Sequence, residues 1–352
     1  MPIEKNGGEW DMKKEKLTIK DIAKMAQVSP TTVSLILNDK GQRFSSETID
    51  KVQKIVKEYH YTPDFYAKNL TMKEAKTIGV IVPDLTDYFF AEMLKGIEET
   101  ATQYGYSVLL FNSDHSEEKE RAGIEIMISR SVSGLILATP YLIDDAIFTQ
   151  IKHNMPVVLV DETKKQRKEG NIYVDEYSGM KEAVYYLYKQ GHRRIAYLKE
   201  DHSYYQLEHR TRAYIDAMTE LRLFQPELIQ ETALSVEGGY QGMLALLDQT
   251  QPFTAVLCTN DNLAVGAYRA IHKRGLTIPA DISIMGFDDI DIASYLTPAL
   301  TTIRQPIDQL GRQATHALIN KINSPDQALI NQRLQTTLVE RESVRLLTDV
   351  DE

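Results

Sequence analysis

The sequence predicts a small all-α head of the helix-turn-helix kind, joined to an α/β core of two lobes with parallel sheets and helices on both faces. Three observations predict it: helical apolar periodicity in residues 18–59, a break at Pro63, and a strand–helix alternation that begins at Thr77 and restarts near Arg194. A chain of 352 residues is too long for one small core and long enough for two or three domains.

The head reads as three short helices. Thr18 precedes Ile19-Lys20-Asp21, so its hydroxyl can cap the free N–H groups of a first helix, with Asp21 near the positive end. Ile19, Ile22, Ala23 and Ala26 share one face. A tight turn at Gln27-Val28 follows, then Ser29 as a second cap and Pro30 at a first helical position, where a missing N–H costs nothing. Val33, Ile36 and Leu37 give the second helix its stripe; Ser45 and Ser46 can start a third, carrying Ile49, Val52, Ile55, Val56 and Tyr59. Two helices joined by a short turn and backed by a third make a helix-turn-helix, although periodicity alone fits any small three-helix bundle.

Pro63 stops the third helix, Asp64 can cap a short stretch through Leu70, and residues 71–76 are polar and linker-like. Ile78 to Val82 is a continuous apolar run, as expected of a strand buried on both faces. A helix over 91–104, a strand over 107–111, a helix over 117–129 and strands at 134–138 and 157–160 follow. The rhythm restarts with a strand at 194–198, a helix from about His209, a strand at 255–258, a helix from Asn262 and a strand at 282–287. Such alternation implies parallel sheets, two successive units imply two lobes, and clefts between lobes are where ligands sit.

Composition narrows the function classes. Apolar residues make up 43% of the chain and no run of about 18 of them occurs, so no membrane span is expected. Met1 to Lys16 mix charges with Gly7 and Gly8, read as a solvated extension and not a secretory signal; a cytosolic location follows. The single cysteine, Cys258, cannot form an internal disulfide. The net charge is −10, but residues 11–76 hold 13 Lys/Arg against 9 Asp/Glu while residues 77–352 sum to −13. A basic head on an acidic body points to a local polyanion partner.

The stretch Leu17 to Asn38, with Ile19-Lys20-Asp21-Ile22-Ala23 and Ser29-Pro30-Thr31-Thr32-Val33-Ser34, closely resembles the headpiece of LacI/GalR regulators. The resemblance continues through Tyr61-Thr62-Pro63 and Ala67-Lys68-Asn69-Leu70 into the body, at Thr77 to Asp84, Gly191 to Ala196, Thr259-Asn260-Asp261, Gly286-Phe287-Asp288-Asp289 and Leu300 to Pro306. It covers nearly everything after residue 16, in the family's order and spacing.

The resemblance implies a DNA-binding transcription regulator, a repressor of homodimeric form on a pseudo-palindromic operator of double-stranded DNA, switched by a small sugar-like effector. Its domains would be an extension over 1–16, a helix-turn-helix domain over 17–63, a hinge helix and linker over 64–76, and a periplasmic-binding-protein-like core over 77–352. Within the core, lobe 1 would take about 77–174 and 303–330, and lobe 2 about 175–301 and 331–347.

The helix Pro30 to Asn38 would lie in the major groove, with Pro30, Thr31 and Leu35 reading base edges. Thr18, Ser29, Thr32, Ser34 and Asn38 would meet phosphates, with capping as the competing role for Ser29. Leu70 matches a hinge leucine that wedges into the minor groove, flanked by Lys68 and Asn69. In the body the matching effector positions are Asp87, Phe89, Phe90, Asp161, Arg210, Asn260, Asp288 and Gln305. Carboxylate, amide and guanidinium suit sugar hydroxyls, and aromatic rings suit sugar faces. Two departures weaken a ribose assignment: Glu162 stands where ribose binders carry arginine, and Leu234 where relatives place an aromatic residue.

Three rival readings each require features of their own. An exported solute-binding protein would need a signal and no helix-turn-helix. An enzyme would need a catalytic motif, and no HExxH, GxSxG or GxxxxGK[ST] occurs; no catalytic residue, metal or cofactor is expected. A carbon catabolite regulator of the same fold, controlled by a phosphocarrier protein, also carries motifs like Asn112-Ser113-Asp114. No leucine heptad follows Val344-Arg345-Leu346-Leu347, so a dimer is expected and not a tetramer.

Overall fold

The computed structural model describes residues 17–37, 42–59, 76–138, 145–161, 170–201, 205–249 and 251–347. The chain divides into two compact units, Met1–Ala75 and Lys76–Glu352.

In the first unit, α1 (Ile19–Ala26), α2 (Pro30–Leu37) and α3 (Ser46–Glu58) enclose a core of Ile22, Ala23, Ala26, Val33, Ile36 and Val52. The first helix opens with a capping box between Thr18 and Asp21, as the sequence suggests. The Thr18 backbone N–H (2.8 Å) and hydroxyl (2.6 Å) both donate to the Asp21 carboxylate, which these bonds hold below its usual pKa. Gln27 ends α1 in the left-handed region (φ 59°). Ser29 Oγ accepts from the Thr32 N–H at 3.0 Å, and Ser45 Oγ from the Thr48 N–H at 3.3 Å, so both serines cap as their positions suggested. Tyr59 does not extend the apolar stripe of α3; it sits at the helix C-cap, 49% exposed.

The second unit holds two six-stranded sheets. The first contains β1 (Thr77–Val82), β2 (Ser107–Asn112), β3 (Gly134–Leu137), β4 (Val157–Val160), β5 (Asn171–Val174) and β11 (Gln332–Leu334), in the order β2-β1-β3-β4-β5-β11. The second contains β6 (Ile195–Glu200), β7 (Ile229–Thr232), β8 (Ala255–Cys258), β9 (Ser283–Asp288), β10 (Thr301–Arg304) and β12 (Thr337–Val339), in the order β7-β6-β8-β9-β10-β12. Both lobes thus repeat one plan. All pairings are parallel except β10 with β12.

Helices cover both faces, and strand residues alternate between two cores. In lobe 1, Ile78, Val80 and Val82 pack toward α4 (Tyr88–Gln103) and α11 (Ile307–Asn323), while Ile81 joins Ile124 and Met127 of α5 (Glu117–Ser129). A further helix, α6 (Asp145–Asn154), precedes β4. In lobe 2, Leu198, Val256 and Cys258 pack toward α9 (Val236–Asp248) and α10 (Asp261–Lys273), while Tyr197, Leu257 and Phe287 meet α7 (Glu176–Lys189) and α8 (Tyr205–Glu220). The two-sided burial explains why these strands read as continuous apolar runs.

The late crossovers fall elsewhere than the sequence suggested. Thr301–Arg304 pairs with β9 in the second sheet, and Gln332–Leu334 pairs with β5 in the first. The chain therefore leaves lobe 2 after Arg304, not at 301, and returns after Leu334, not at 331, because ladder hydrogen bonds rather than the helix between them set the boundaries.

His192 is fully buried, its Nδ1 2.9 Å from Thr254 Oγ1. Burial pushes its pKa down to about 4, so it folds neutral. The unfolded chain binds that proton from about pH 6.5 downward. Stability supplied by neutral His192 is thus fully present above pH 6.5 and is lost progressively toward pH 4. Denaturant unfolding measured across that window should show a decline that His192→Gln removes in part; an unchanged profile would refute this origin.

Candidate functional site

On the head, α2 presents Pro30 and Thr31 to solvent, with Thr32, Ser34 and Leu35 half-buried and Ser29 and Thr18 exposed at helix starts. Ser29 Oγ also lies 2.9 Å from Thr32 Oγ1, so both hydroxyls have an intramolecular role as well as an outward-facing position. Asn38, Lys68, Asn69, Leu70 and Glu162 lie outside the described residues.

Between the lobes lies a cleft, and its walls are built largely from the carboxyl ends of strands. Pro83 follows β1, Ala138 follows β3, Asp161 follows β4, Asn260 stands two residues past β8, and Asp288 ends β9. β1 has β2 on one side and β3 on the other, and β6 has β7 and β8, so the strand order switches sides there and a crevice opens at the carboxyl ends. Short loops there place several side chains against one space.

Lobe 1 supplies acid and aromatic surface. Asp87 caps α4, its Oδ1 accepting from the Phe89 N–H at 3.0 Å. The helix starts at Tyr88, three residues earlier than the sequence reading, so Phe89 and Phe90 sit in its first turn. Their rings meet edge to face, 5.1 Å between centroids. Asp161 is buried in the left-handed region (φ 53°) with Oδ1 accepting from the Val174 N–H at 2.9 Å.

Lobe 2 supplies a guanidinium held among acceptors. Arg210, 4% exposed, donates from Nε to Glu176 Oε1 at 3.0 Å and from Nη1 to the Thr259 carbonyl at 2.7 Å. Nη2 also donates to Glu176 Oε1, Nη1 lies 3.2 Å from Asp288 Oδ1, and the Phe287 ring centroid is 4.1 Å away. Asn260 Oδ1 caps α10 through the Leu263 N–H at 3.0 Å, which leaves its amide nitrogen for a ligand. Asn262 Nδ2 reaches Asp87 Oδ1 across the cleft at 3.5 Å.

Electrostatics are dominated by buried acids. Burial, and then the Glu176 charge, push Asp161 up to about 8; burial pushes Asp288 up to about 7 against the pull of Arg210. Burial also raises Asp87. Mutual repulsion in a space short of water makes each further negative charge costly. Among the described residues, no group of His, Cys, Asp or Glu has metal-ligand geometry, and no helix is long and apolar enough to cross a membrane.

Seven of the eight effector positions read from the sequence line this one cleft: Asp87, Phe89, Phe90, Asp161, Arg210, Asn260 and Asp288. Gln305 stands behind it, its Nε2 donating to Asp288 Oδ1 at 2.6 Å, so it orients the carboxylate and is not itself a wall. Sequence reasoning missed Glu176 and His115, which also line the cleft. Nothing in spacing announces Glu176, since it meets Arg210 from another helix. Asp261, next to Asn260, accepts from Thr302 Oγ1 at 2.7 Å and from the Ile290 N–H at 3.0 Å, a structural role.

A family model described as periplasmic binding proteins and sugar binding domain of the LacI family matches residues 75–341, and one of bacterial regulatory proteins of the lacI family matches residues 18–64. The chain is 34% identical over 331 residues to the HTH-type transcriptional repressor CytR of Escherichia coli, covering 94% of this chain and 97% of that one. It is 35% identical over 332 residues to the ribose operon repressor of Haemophilus influenzae, covering 93% and 98%. The lac repressor dimer bound to operator and the anti-inducer ONPF superposes with a TM-score of 0.83 at 28% identity, over 94% of this chain and 100% of that one. With a helix-turn-helix head and a two-lobed core each matched in full register, this chain belongs to the LacI family and is a DNA-binding transcription regulator.

Proposed function

We propose that the protein is a cytoplasmic repressor that binds a pseudo-palindromic operator as a homodimer and is switched by a small sugar-like effector held between the lobes. The observation that carries the effector part is the convergence of Asp161, Arg210, Asn260 and Asp288 on one cleft walled by Phe89 and Phe90. Polar groups there can hold hydroxyls in fixed directions while rings cover an apolar face, the usual composition of a small-ligand site. The operator part is supported by the match of the head to the family model and by the likeness to the lac repressor dimer on its operator.

In this reading residues 17–63 form the DNA-binding domain, 64–76 a hinge, and 77–352 the effector and dimerisation core. Thr31, Pro30 and Leu35 read base edges; Thr18, Ser29, Thr32, Ser34 and Asn38 meet phosphates; Lys68, Asn69 and Leu70 act at the operator centre. A hinge helix of about seven residues is unstable alone and forms only with DNA and a second subunit. An effector that separates the paired cores would melt it, which couples the cleft to DNA.

The test is a thermal-shift screen of the full chain against sugars, followed by operator binding with and without each hit. A ligand at about 100 times its Kd should add roughly 2.7 kcal/mol and change operator affinity. A response to a phosphocarrier protein alone would replace this reading with the catabolite-regulator one. For the hinge, Leu70→Ala should weaken operator binding by about tenfold or more and reduce the bend, since the wedge that holds the kink is gone. Unchanged affinity and bend would remove the wedge from the account.

A further inference from the structure

The described walls of the cleft carry four carboxylates, Asp87, Asp161, Glu176 and Asp288, against one guanidinium, Arg210. That guanidinium is already engaged. Two of its nitrogens donate to Glu176, the third donates to the Thr259 carbonyl and faces Asp288, and one face of its plane rests on Phe287. Gripping a phosphate or carboxylate requires an open fork of donors, and here four of the five N–H groups already face protein acceptors.

The carboxylates are in the opposite condition. Each commits one oxygen: Asp87 Oδ1 to the Phe89 N–H, Asp161 Oδ1 to the Val174 N–H, Glu176 Oε1 to Arg210, and Asp288 Oδ1 to Arg210 and Gln305. The second oxygen of each makes no hydrogen bond among the described residues. A carboxyl oxygen without a proton only accepts, while Asp161, pushed up to about 8, holds its proton at neutral pH and can also donate, so the cleft suits a ligand of hydroxyls, which do both. Burial already pushes Asp87, Asp161 and Asp288 toward their protonated forms, so the cleft disfavours a further negative charge.

We infer that the cleft selects an uncharged or amine-bearing polyhydroxy ligand and rejects phosphorylated or carboxylated forms of the same skeleton, with Glu176 setting this discrimination by occupying Arg210. This rests on the sugar-binding reading of the cleft and narrows it to a charge class. Glu176 holds the guanidinium as an internal counter-ion, which leaves Arg210 with little to offer a ligand anion. Without Glu176, two donors of Arg210 would turn to the cavity and one negative charge would leave it.

The experiment uses the full-length protein, calorimetry and melting, and two arms. The first compares D-ribose with D-ribose 5-phosphate, and D-glucose with glucosamine and glucose 6-phosphate. The second compares inorganic phosphate with chloride at fixed ionic strength. For whichever skeleton binds, the phosphate ester should bind on the order of tenfold more weakly or worse, and inorganic phosphate should not stabilise the parent protein. Glu176→Gln should narrow the ester penalty and confer stabilisation by inorganic phosphate. Asp161→Asn, measured near pH 9 where the parent carboxyl is ionised, removes charge without freeing Arg210; it should narrow the penalty less, and it carries the comparison if Glu176→Gln does not fold.

An ester that binds as tightly as its parent sugar overturns the inference. So does stabilisation of the parent protein by inorganic phosphate that Arg210→Gln abolishes. If no sugar of any charge binds, the sugar reading itself fails, and the phosphate arm still decides: gain on Glu176→Gln supports the charge assignment, and no difference between parent and variant overturns it.

Discussion

Replacing Arg210 with methionine should destabilise the core by roughly 3–5 kcal/mol and erase any response to a cleft ligand. The reason is that Arg210 is the only described cation facing Glu176 and Asp288 at ion-pair distance, and both acids are nearly solvent-free. Methionine fills similar volume but leaves those carboxylates without a counter-charge and the Thr259 carbonyl without its 2.7 Å donor. The acids will take up protons to escape the penalty, so the loss should be larger at pH 8 than at pH 5. Chemical denaturation at the two pH values measures this directly; equal stability of variant and parent at pH 8 would show that the pair is not needed for folding. Lysine should rescue little, since one ammonium cannot reach Glu176, Asp288 and Thr259 together.

Gly266→Val should cost about 3 kcal/mol or more, through a different mechanism. In lobe 2, α9 and α10 cross with their backbones in contact. A Cβ on Gly266 would stand 1.9 Å from the Val236 carbonyl oxygen and 2.5 Å from the Tyr240 nitrogen, and one on Gly239 would stand 2.2 Å from the Leu263 oxygen. Backbone cannot rotate away as a side chain can, so the helices must separate and open the core around Met243 and Leu263. Lobe 1 repeats the device, with Gly96 of α4 against Asp308 and Gly311 of α11 against Met93. Gly275→Ala is the control: its Cβ meets nothing within 4 Å, and only the positive φ of 72° is strained, worth about 1 kcal/mol. A melting comparison in which Gly266→Val and Gly275→Ala fall equally would rule out the crossing as the cause.

Much of the fold was legible because local rules and burial agree. Apolar runs over 78–82, 134–138 and 255–258 announced strands buried on both faces, and all three pair as central strands. Serines at 29 and 45 announced helix starts and cap them. Other elements stayed hidden for stated reasons. The helix Val236–Asp248, to which the sequence reading assigned no element, contains Gly238, Gly239 and Gly242, which are poor helix formers. Those glycines are needed for contacts made elsewhere in the chain, with Ala233, Leu263 and Leu198, which no window of sequence can show.

The candidate site divides along the same line. Residues that close a strand were findable: Asp161, Asn260 and Asp288 each stand where a buried run ends, and polar residues there face the crevice. Glu176 was missed because its role lies in its partner, Arg210, and not in its own segment, and the bond of Gln305 to Asp288 is likewise set by a distant partner.

By itself the sequence determined the basic helical head, the two alternating α/β units and the acids and aromatics at the strand ends, because period, capping chemistry and charge act over a few neighbouring residues. Only the tertiary structure decided which acid neutralises Arg210, which residue stands behind Asp288 and where the chain crosses between lobes. Those outcomes depend on pairs far apart in the chain, Arg210 with Glu176 at a separation of 34 residues and Gln332 with Ile172 across the sheet. Burial makes such pairings strong and specific, and burial exists only once the distant segments have met.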